Sequence, residues 1–541
     1  MKKGAYFFSL LLIACFCVAP LIKLFLVPNL ADYSSVWNNP NTIKAAINTF
    51  LVSSVVGVCC LLIGLPLSWL LTRTDLRFKK YFRSLYCLPY AIPPFVGAIG
   101  WIVLANPRSG VLNQWFGLGL NIYSFTGLVW VETSFLFTFV LLNALTLMDQ
   151  MDPSLDEAAR LSGASGFRVF IDIALPLLKP AMISGFLLSF LATAASFGVP
   201  ALIGGPARIY LMTTQIYTFQ RMGTENGLQM SVAISVILAL ATLVLLYSAQ
   251  IFAGLNKNYS VGGKSSRMSS VQLHQWNIPI VILLSVILFL IFILPLFGVL
   301  LSALSSVQGS WSFANLTLSN FYRVLFETEE TGRAIRQSLT LGMGAALICT
   351  AFSFFFNYFI QRTTWFGRRL SAVMVSIPFS TPGTVVALAL ILSFSNGFFG
   401  VGPSLYNTLF LIGLAYIIKY LSLSLKTVGD GYQQIHPSLE EAARISGAGW
   451  WTTMITIYWP LLKTALMASM FLVFMPVLSE LTMTILLTGP GLETIGSMIF
   501  QLQEYSDMAG GGAAVLSTLV VVFVIFLNFS LKTLSRGRYG L

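Results

Sequence analysis

The residues of this chain that are equipped for chemistry fall in two settings. The first is a polar stretch reading Asp152-Pro153-Ser154, Glu157-Ala158-Ala159-Arg160, Gly163 and Pro176, which recurs as His436-Pro437-Ser438, Glu441-Ala442-Ala443-Arg444, Gly447 and Pro460. Two adjacent alanines let another protein's backbone come close, and the flanking Glu and Arg are charged anchors. That is the chemistry of docking, not of bond breaking. The second setting is apolar sequence carrying an ionisable group: Glu132 in LVWVETSFLF, Lys419 in AYIIKYLSL and Glu480 in PVLSELTMTI. Such groups are costly in hydrocarbon and are candidates for a translocation path by default. The plainer account is that each pairs with a Ser, Thr or opposite charge on a neighbouring helix. For Lys419 the long side chain also has the reach to snorkel toward the interface.

Other chemistry is not in view. The six cysteines, Cys15, Cys17, Cys59, Cys60, Cys87 and Cys349, lie in or beside apolar runs without metal-ligand spacing, so packing is their expected role and no metal site is expected. Gly263-Lys264-Ser265 is the tail of a phosphate-loop pattern. Asn258 stands where that pattern needs glycine, and a short linker supplies neither the strand nor the helix. No set of nucleophile, base or metal ligands points to an enzyme.

The elements that hold these residues are membrane helices. Of 541 residues 56% are hydrophobic and only 9% charged, too little polar surface for a water-soluble globule of this size. Apolar runs cover 5–27, 46–72, 85–105, 123–147, 181–203, 229–254, 278–304, 337–360, 371–395, 405–425, 465–488 and 512–531. A helix crosses the hydrocarbon core with roughly 20 apolar residues, so the runs predict twelve spans. The first run, behind Met1-Lys2-Lys3, has the outline of a secretory signal peptide. The second half opens with a similar run that no signal peptidase would meet, so an uncleaved helix is expected. With a cytoplasmic N-terminus, 22 of the 31 Lys and Arg fall in cytoplasmic loops and tails. The net charge of +12 is therefore a positive-inside signal and not a nucleic-acid footprint. Arg73, Arg77, Lys79, Lys80 and Arg83 form its densest cluster, suited to anionic lipid.

The chain is written twice. DPSLDEAARLSGASGFRVFIDIALPLLKP from Asp152 aligns without a gap on HPSLEEAARISGAGWWTTMITIYWPLLKT from His436, with 16 of 29 positions identical at an offset of 284. Arg73-Thr74, Leu88-Pro89 and Pro93 recur as Arg362-Thr363, Ile377-Pro378 and Pro382 at an offset of 289. Six spans per copy is an even number, so both copies enter the membrane from the same side. The expected fold is an all-α integral membrane protein of two parallel six-helix repeats about a pseudo-twofold pore. The first repeat is 1–254 with its loop at 152–180, a polar cytoplasmic linker is 255–276, and the second repeat is 277–541 with its loop at 436–464. Prolines such as Pro93, Pro94, Pro200 and Pro382 are candidate breaks in the pore helices.

Each loop predicts a helical hairpin. Asp152 is an oxygen-bearing cap, proline follows where no donor is needed, and Ser154 and Glu157 have capping-box spacing. Gly163 closes the first helix in a left-handed turn, and Pro176 breaks a second short helix of about 167–175. The second copy repeats every element, with Pro460 as the break. The pattern Glu-Ala-Ala, Gly six residues after the Glu, Ile ten residues on and Pro three further is met by Glu157, Gly163, Ile173, Pro176 and by Glu441, Gly447, Ile457, Pro460. It resembles the EAA loop of binding-protein-dependent ABC importer permeases. That resemblance covers nearly the whole chain and implies a type I importer architecture in a bacterial inner membrane, with both termini cytoplasmic.

It further implies that each loop, through Glu157, Ala158, Ala159, Arg160, Gly163 and Pro176 and through Glu441, Ala442, Ala443, Arg444, Gly447 and Pro460, seats on one of two copies of a separate ATPase. ATP and Mg would then bind the ATPase and no cofactor this chain. The segments 204–227 and 488–511, which begin with Gly205-Pro206 and Gly489-Pro490, would face an extracytoplasmic solute-binding protein. Double-length permeases of this kind are most similar to the ferric iron importer family, and SFGVPAL from Ser196 and SELT from Ser479 look like that branch. Thiamine, 2-aminoethylphosphonate and sugar phosphate are the alternative solutes. A secondary transporter without an ATPase also suits twelve spans, but it does not account for paired docking loops.

Overall fold

The computed structural model describes residues 2–152, 154–254, 271–505 and 511–534. Pro153 and the stretch 255–270, with Gly263-Lys264-Ser265, lie outside the described residues. The described chain is helical, with isolated bridges in place of a sheet. Among the described residues nine helices are long and apolar enough to cross a membrane, or up to twelve when each of three bent helix pairs counts as one span. The chain is an all-α membrane protein of two repeats.

The longest helix of each half is its second span, Pro40–Arg73 and Glu329–Arg362, both of 34 residues. Each ends where an arginine precedes an extended threonine, Thr74 at ψ 165° and Thr363 at ψ 160°. The third span is broken in both halves. Lys79–Ala91 meets Pro94–Ala105 at 97°, and Leu370–Ser380 meets Gly383–Phe394 at 107°. A residue before proline is pushed out of the helical region. Ile92 and Thr381 accordingly take ψ of 132° and 140°. The inner pieces, Pro94–Ala105 and Gly383–Phe394, have 12 residues each. At about 18 Å they are too short to span the core alone. They survive because nearly every residue in them is buried in protein.

The fifth span is also broken, a correction to the continuous runs 181–203 and 465–488. Lys179–Ala195 ends at an extended Ser196, and Trp459–Leu478 ends at Ser479 before the short helix Thr484–Leu487. Neither proline breaks its loop helix, a correction to the expected breaks: Pro176 lies within the helical piece ending at Leu177, with the 70° bend after it at Leu178, and Pro460 lies within a continuous helix. A π turn precedes each proline, Phe170–Ala174 before Pro176 and Met454–Tyr458 before Pro460, and accommodates its missing donor.

The halves exchange their first spans. Ala19–Leu26 packs on Gly383–Phe394 of the second half, and Leu294–Leu304 packs on Pro94–Ala105 of the first. Tyr6 donates its hydroxyl to Phe366 O at 2.8 Å, and Tyr86 donates to Leu284 O at 2.6 Å. The second crossing needs glycine: a Cβ on Gly100 would lie 2.1 Å from Pro295 O. Where the chain re-enters the described region, Val271 N–H donates to Arg73 O at 2.8 Å and Val271 O accepts from Asp75 N at 3.1 Å. The start of the second half is thus fastened beside the first loop.

Candidate functional site

The two loops fold as protruding hairpins. Ser154–Leu161 and Ser438–Ile445 are eight-residue helices. Their starts are held by the side chains of Asp152 and His436, which accept from Ser154 N at 2.9 Å and Ser438 N at 3.2 Å. Donation from the Ser154 backbone and hydroxyl holds the Asp152 carboxyl below its ordinary range. Gly163 at φ 87° and Gly447 at φ 79° make the left-handed turns, with open space where a Cβ would be. Glu157, Ala158, Glu441, Ala442 and Arg444 are exposed, and Ala159 and Ala443 are half-buried. The Arg160 side chain lies outside the described residues.

Each hairpin also carries large apolar side chains in solvent at matching positions. Leu161 is 90% exposed and Ile445 88%, with Phe167 and Trp451 beside them. Sequence reasoning missed this apolar surface, although the 284-residue offset pairs every member. Both hairpins thus leave the same apolar set uncovered by the rest of the described chain.

An arginine from the second span anchors each hairpin. Arg73 donates to Met148 O at 3.1 Å and Met151 O at 3.2 Å, and pairs with Asp156 at 3.3 Å, with side chains only 5% and 9% exposed. Arg362 donates to the matching carbonyls, Tyr432 O at 3.3 Å and Ile435 O at 2.5 Å. It reaches the matching acid through Tyr458: Arg362 donates to Tyr458 Oη at 3.1 Å, and Tyr458 donates to Glu440 at 2.7 Å. Glu440 accepts also from Tyr358 at 2.9 Å and Arg444 at 3.0 Å. Burial opposes its ionisation, but these three donors outweigh burial and leave the carboxyl below its ordinary value. The acid that anchors the hairpin thus precedes the exposed Glu157 or Glu441 by one residue. The recurrence of Arg73-Thr74 as Arg362-Thr363 was the signal for it.

The ionisable groups of the spans separate into different roles. Lys419 donates to Pro378 O and Thr381 O, carbonyls freed where the third span breaks, and is absent from the lining of the cavity nearby. It serves as a cationic cap on a helix C-terminus. Glu132 and Glu480 both line that cavity, which has about 330 Å³ and lies between the halves. Tyr90, Ser196, Tyr420 and Ser479 share its wall. Glu480 accepts from Met483 N at 2.9 Å, Thr484 N at 3.0 Å and Thr484 Oγ1 at 2.6 Å, capping the helix Thr484–Leu487. Glu132 is fully buried, and neither carboxyl oxygen has a hydrogen-bond partner.

The description "binding-protein-dependent transport system inner membrane component" belongs to a family model that matches residues 62–258 and again 338–537. The chain belongs to that family. The permease is 25% identical over 500 residues to the putative ferric transport system permease protein FbpB 1 of Haemophilus influenzae, covering 87% of this chain and 77% of that one. It is 24% identical over 500 residues to the ferric transport system permease protein FbpB of Actinobacillus pleuropneumoniae, covering 90% and 70%. A solved bacterial alginate ABC transporter, in complex with alginate pentasaccharide-bound periplasmic protein, is similar at 20% identity and a TM-score of 0.40 over 50% of this chain and 97% of that chain.

On the side of the permease away from the hairpins, the segments after the fifth spans form the helices Met212–Arg221 and Ile495–Tyr505. They border two open pockets of about 570 and 530 Å³ that share Tyr217 and Arg221. Three rings divide these pockets from the cavity of Glu132. Phe197, in the cavity wall, lies 5.0 Å from Tyr217 and 5.5 Å from Phe500, both of which line the larger outer pocket. Phe197 and Tyr217 come from the first half and Phe500 from the second, so the ring cluster joins the two halves.

Proposed function

We propose that this permease passes ferric iron, delivered by an extracytoplasmic binding protein, across a bacterial inner membrane, driven by ATP hydrolysis on two copies of a separate ATPase. The observation that carries the reading is the doubled hairpin: an exposed Glu-Ala-Ala helix with Leu161 or Ile445 exposed, braced by an arginine from the second span, once in each half. Each hairpin seats on one ATPase copy. Closure of the ATPase dimer then moves the two hairpins, and Arg73 and Arg362 pass that movement to the second and fourth spans. The aromatic plug parts on one side as the other closes. Both termini lie on the ATPase side, and the outer pockets meet the binding protein. Iron as the solute is supported by relatives named for ferric transport along most of the chain.

The test is uptake of radiolabelled ferric iron by cells lacking the permease, complemented with the intact protein or with Glu157→Lys and Glu441→Lys together. Uptake restored only by the intact chain, with the variant inserted normally, supports solute and coupling at once. Normal uptake by the double variant would remove the docking role, and no iron uptake by the intact chain would remove iron.

A further inference from the structure

The geometry points to a transit site for a bare, oxygen-seeking multivalent cation in the cavity between the halves, built on the unpaired carboxyl of Glu132. The inference rests on the reading of the chain as a cation importer. It adds that the permease itself, and not only its carrier, offers ligands to the cargo.

Glu132 sits eight residues into the helix Phe125–Gln150, with 0% of its surface exposed. Buried polar atoms in folded proteins nearly always have a partner, and a carboxyl without one needs a proton or a cation beside it. Ser196 lies beside Glu132 in the cavity wall, with no hydrogen bond of ordinary geometry between them. The repeat makes this vacancy specific. At the offset of 284, Glu132 corresponds to Tyr416 and Ser196 to Glu480. Each half therefore brings one carboxyl to the same place, the first from its fourth span and the second from its fifth. In the second half the acid is satisfied by backbone donors, and Tyr416 is hydrogen-bonded to Thr484 at 2.7 Å. In the first half the acid is left open.

The donors around it select the ligand. Two carboxyls, the phenols of Tyr90 and Tyr420 and the hydroxyls of Ser196 and Ser479 offer only oxygen, and no His or Cys lines the cavity. Oxygen-only donors suit hard cations. Two carboxyls are fewer than a resident centre would use, and no group of three His, Cys, Asp or Glu occurs among the described residues. A site that holds its ion weakly is what conduction requires. The aromatic plug of Phe197, Tyr217 and Phe500 stands between this site and the outer pockets, so an ion that passes it meets Glu132 next.

The experiment uses the complete importer, permease with ATPase, carrying Glu132→Gln or Glu132→Met. Terbium(III) serves as probe because nearby tyrosines sensitise its emission. The intact complex is expected to show saturable tyrosine-sensitised emission, and both variants to bind about tenfold more weakly or worse. In proteoliposomes iron uptake should fall about tenfold or more, while ATP hydrolysis stimulated by the loaded binding protein stays within about twofold. Thermal stability should hold or rise in Glu132→Met, because an unpartnered carboxyl is replaced by an apolar chain of similar length. Terbium binding equal to that of the intact complex in either assembled variant would overturn the proposal. So would a fall in melting temperature of Glu132→Met, which would mean the carboxyl has a structural partner. Failure of the intact importer to carry iron would count against the iron reading alone, since terbium binding still decides the site.

Discussion

Replacing Arg73 with methionine should loosen the first hairpin far more than a surface substitution could. The guanidinium holds two carbonyls at the end of the fourth span and the Asp156 carboxylate, at 3.1, 3.2 and 3.3 Å. Methionine fills the space but takes the guanidinium away from Asp156, which is 9% exposed. Breaking a buried pair from one side costs on the order of 3–5 kcal/mol. An eight-residue helix has little stability of its own, so this loss falls on the hairpin's attachment. About 3 kcal/mol corresponds to a roughly 150-fold shift in the ordered population, and affinity for a partner falls with the competent fraction. Arg73→Met should therefore weaken assembly with the ATPase by about 10- to 100-fold and speed amide exchange over 154–161. Asp156→Asn should cost less, because the Arg73 guanidinium keeps the carbonyls of Met148 and Met151 as acceptors. The double variant should lose less than the sum, with a coupling of about 1–3 kcal/mol. In Arg362→Met, Glu440 keeps its donors from Tyr358, Tyr458 and Arg444. Additive losses in the Arg73 and Asp156 cycle, or unchanged exchange over 154–161, would refute the anchoring argument.

Other outcomes follow from the same geometry. Leu161→Asp with Ile445→Asp should leave the permease folded but reduce ATPase copurification by about 100-fold or more, each lost apolar contact being worth about 1.5–3 kcal/mol. Gly100→Ala should lower the melting temperature of the purified permease, because its Cβ would meet backbone atoms of Pro295 at 2.1 and 2.7 Å, and overpacking costs about 1–3 kcal/mol. The same substitution at Gly117, where a Cβ meets nothing within 4 Å, is strained only by its positive φ and serves as the comparison. Glu440 supplies a pH dependence: its folded value lies below the ordinary 4.5, so its contribution is complete above that value and is lost as pH falls through the folded one. Amide exchange over 438–445, corrected for its intrinsic rate, should be flat from about pH 7 to 5.5 and rise only below about pH 4. A rise near neutral pH would contradict the arrangement.

What could be read along the chain was local. Apolar runs of span length, the duplication at an offset of 284, and the capped Glu-Ala-Ala helices with their glycine turns each depend on neighbours a few residues apart, or on two stretches being alike. The breaks at Pro93 and Pro382 belong with them, since a proline acts on the residue before it. Partners supplied by another part of the fold were out of reach. Lys419 looks the same in sequence whether it snorkels, lines a path or, as the structure has it, caps the carbonyls of Pro378 and Thr381. Glu132 and Glu480 are alike as letters, yet one is satisfied by a helix start and the other by nothing. Arg73 became an anchor only when the fourth span and Asp156 were packed against it. Helix formation is decided by hydrogen bonds within one stretch of chain. The fate of a buried charge is decided by whichever helix the packing sets beside it, and here the exchange of first spans between the halves helps to make that choice.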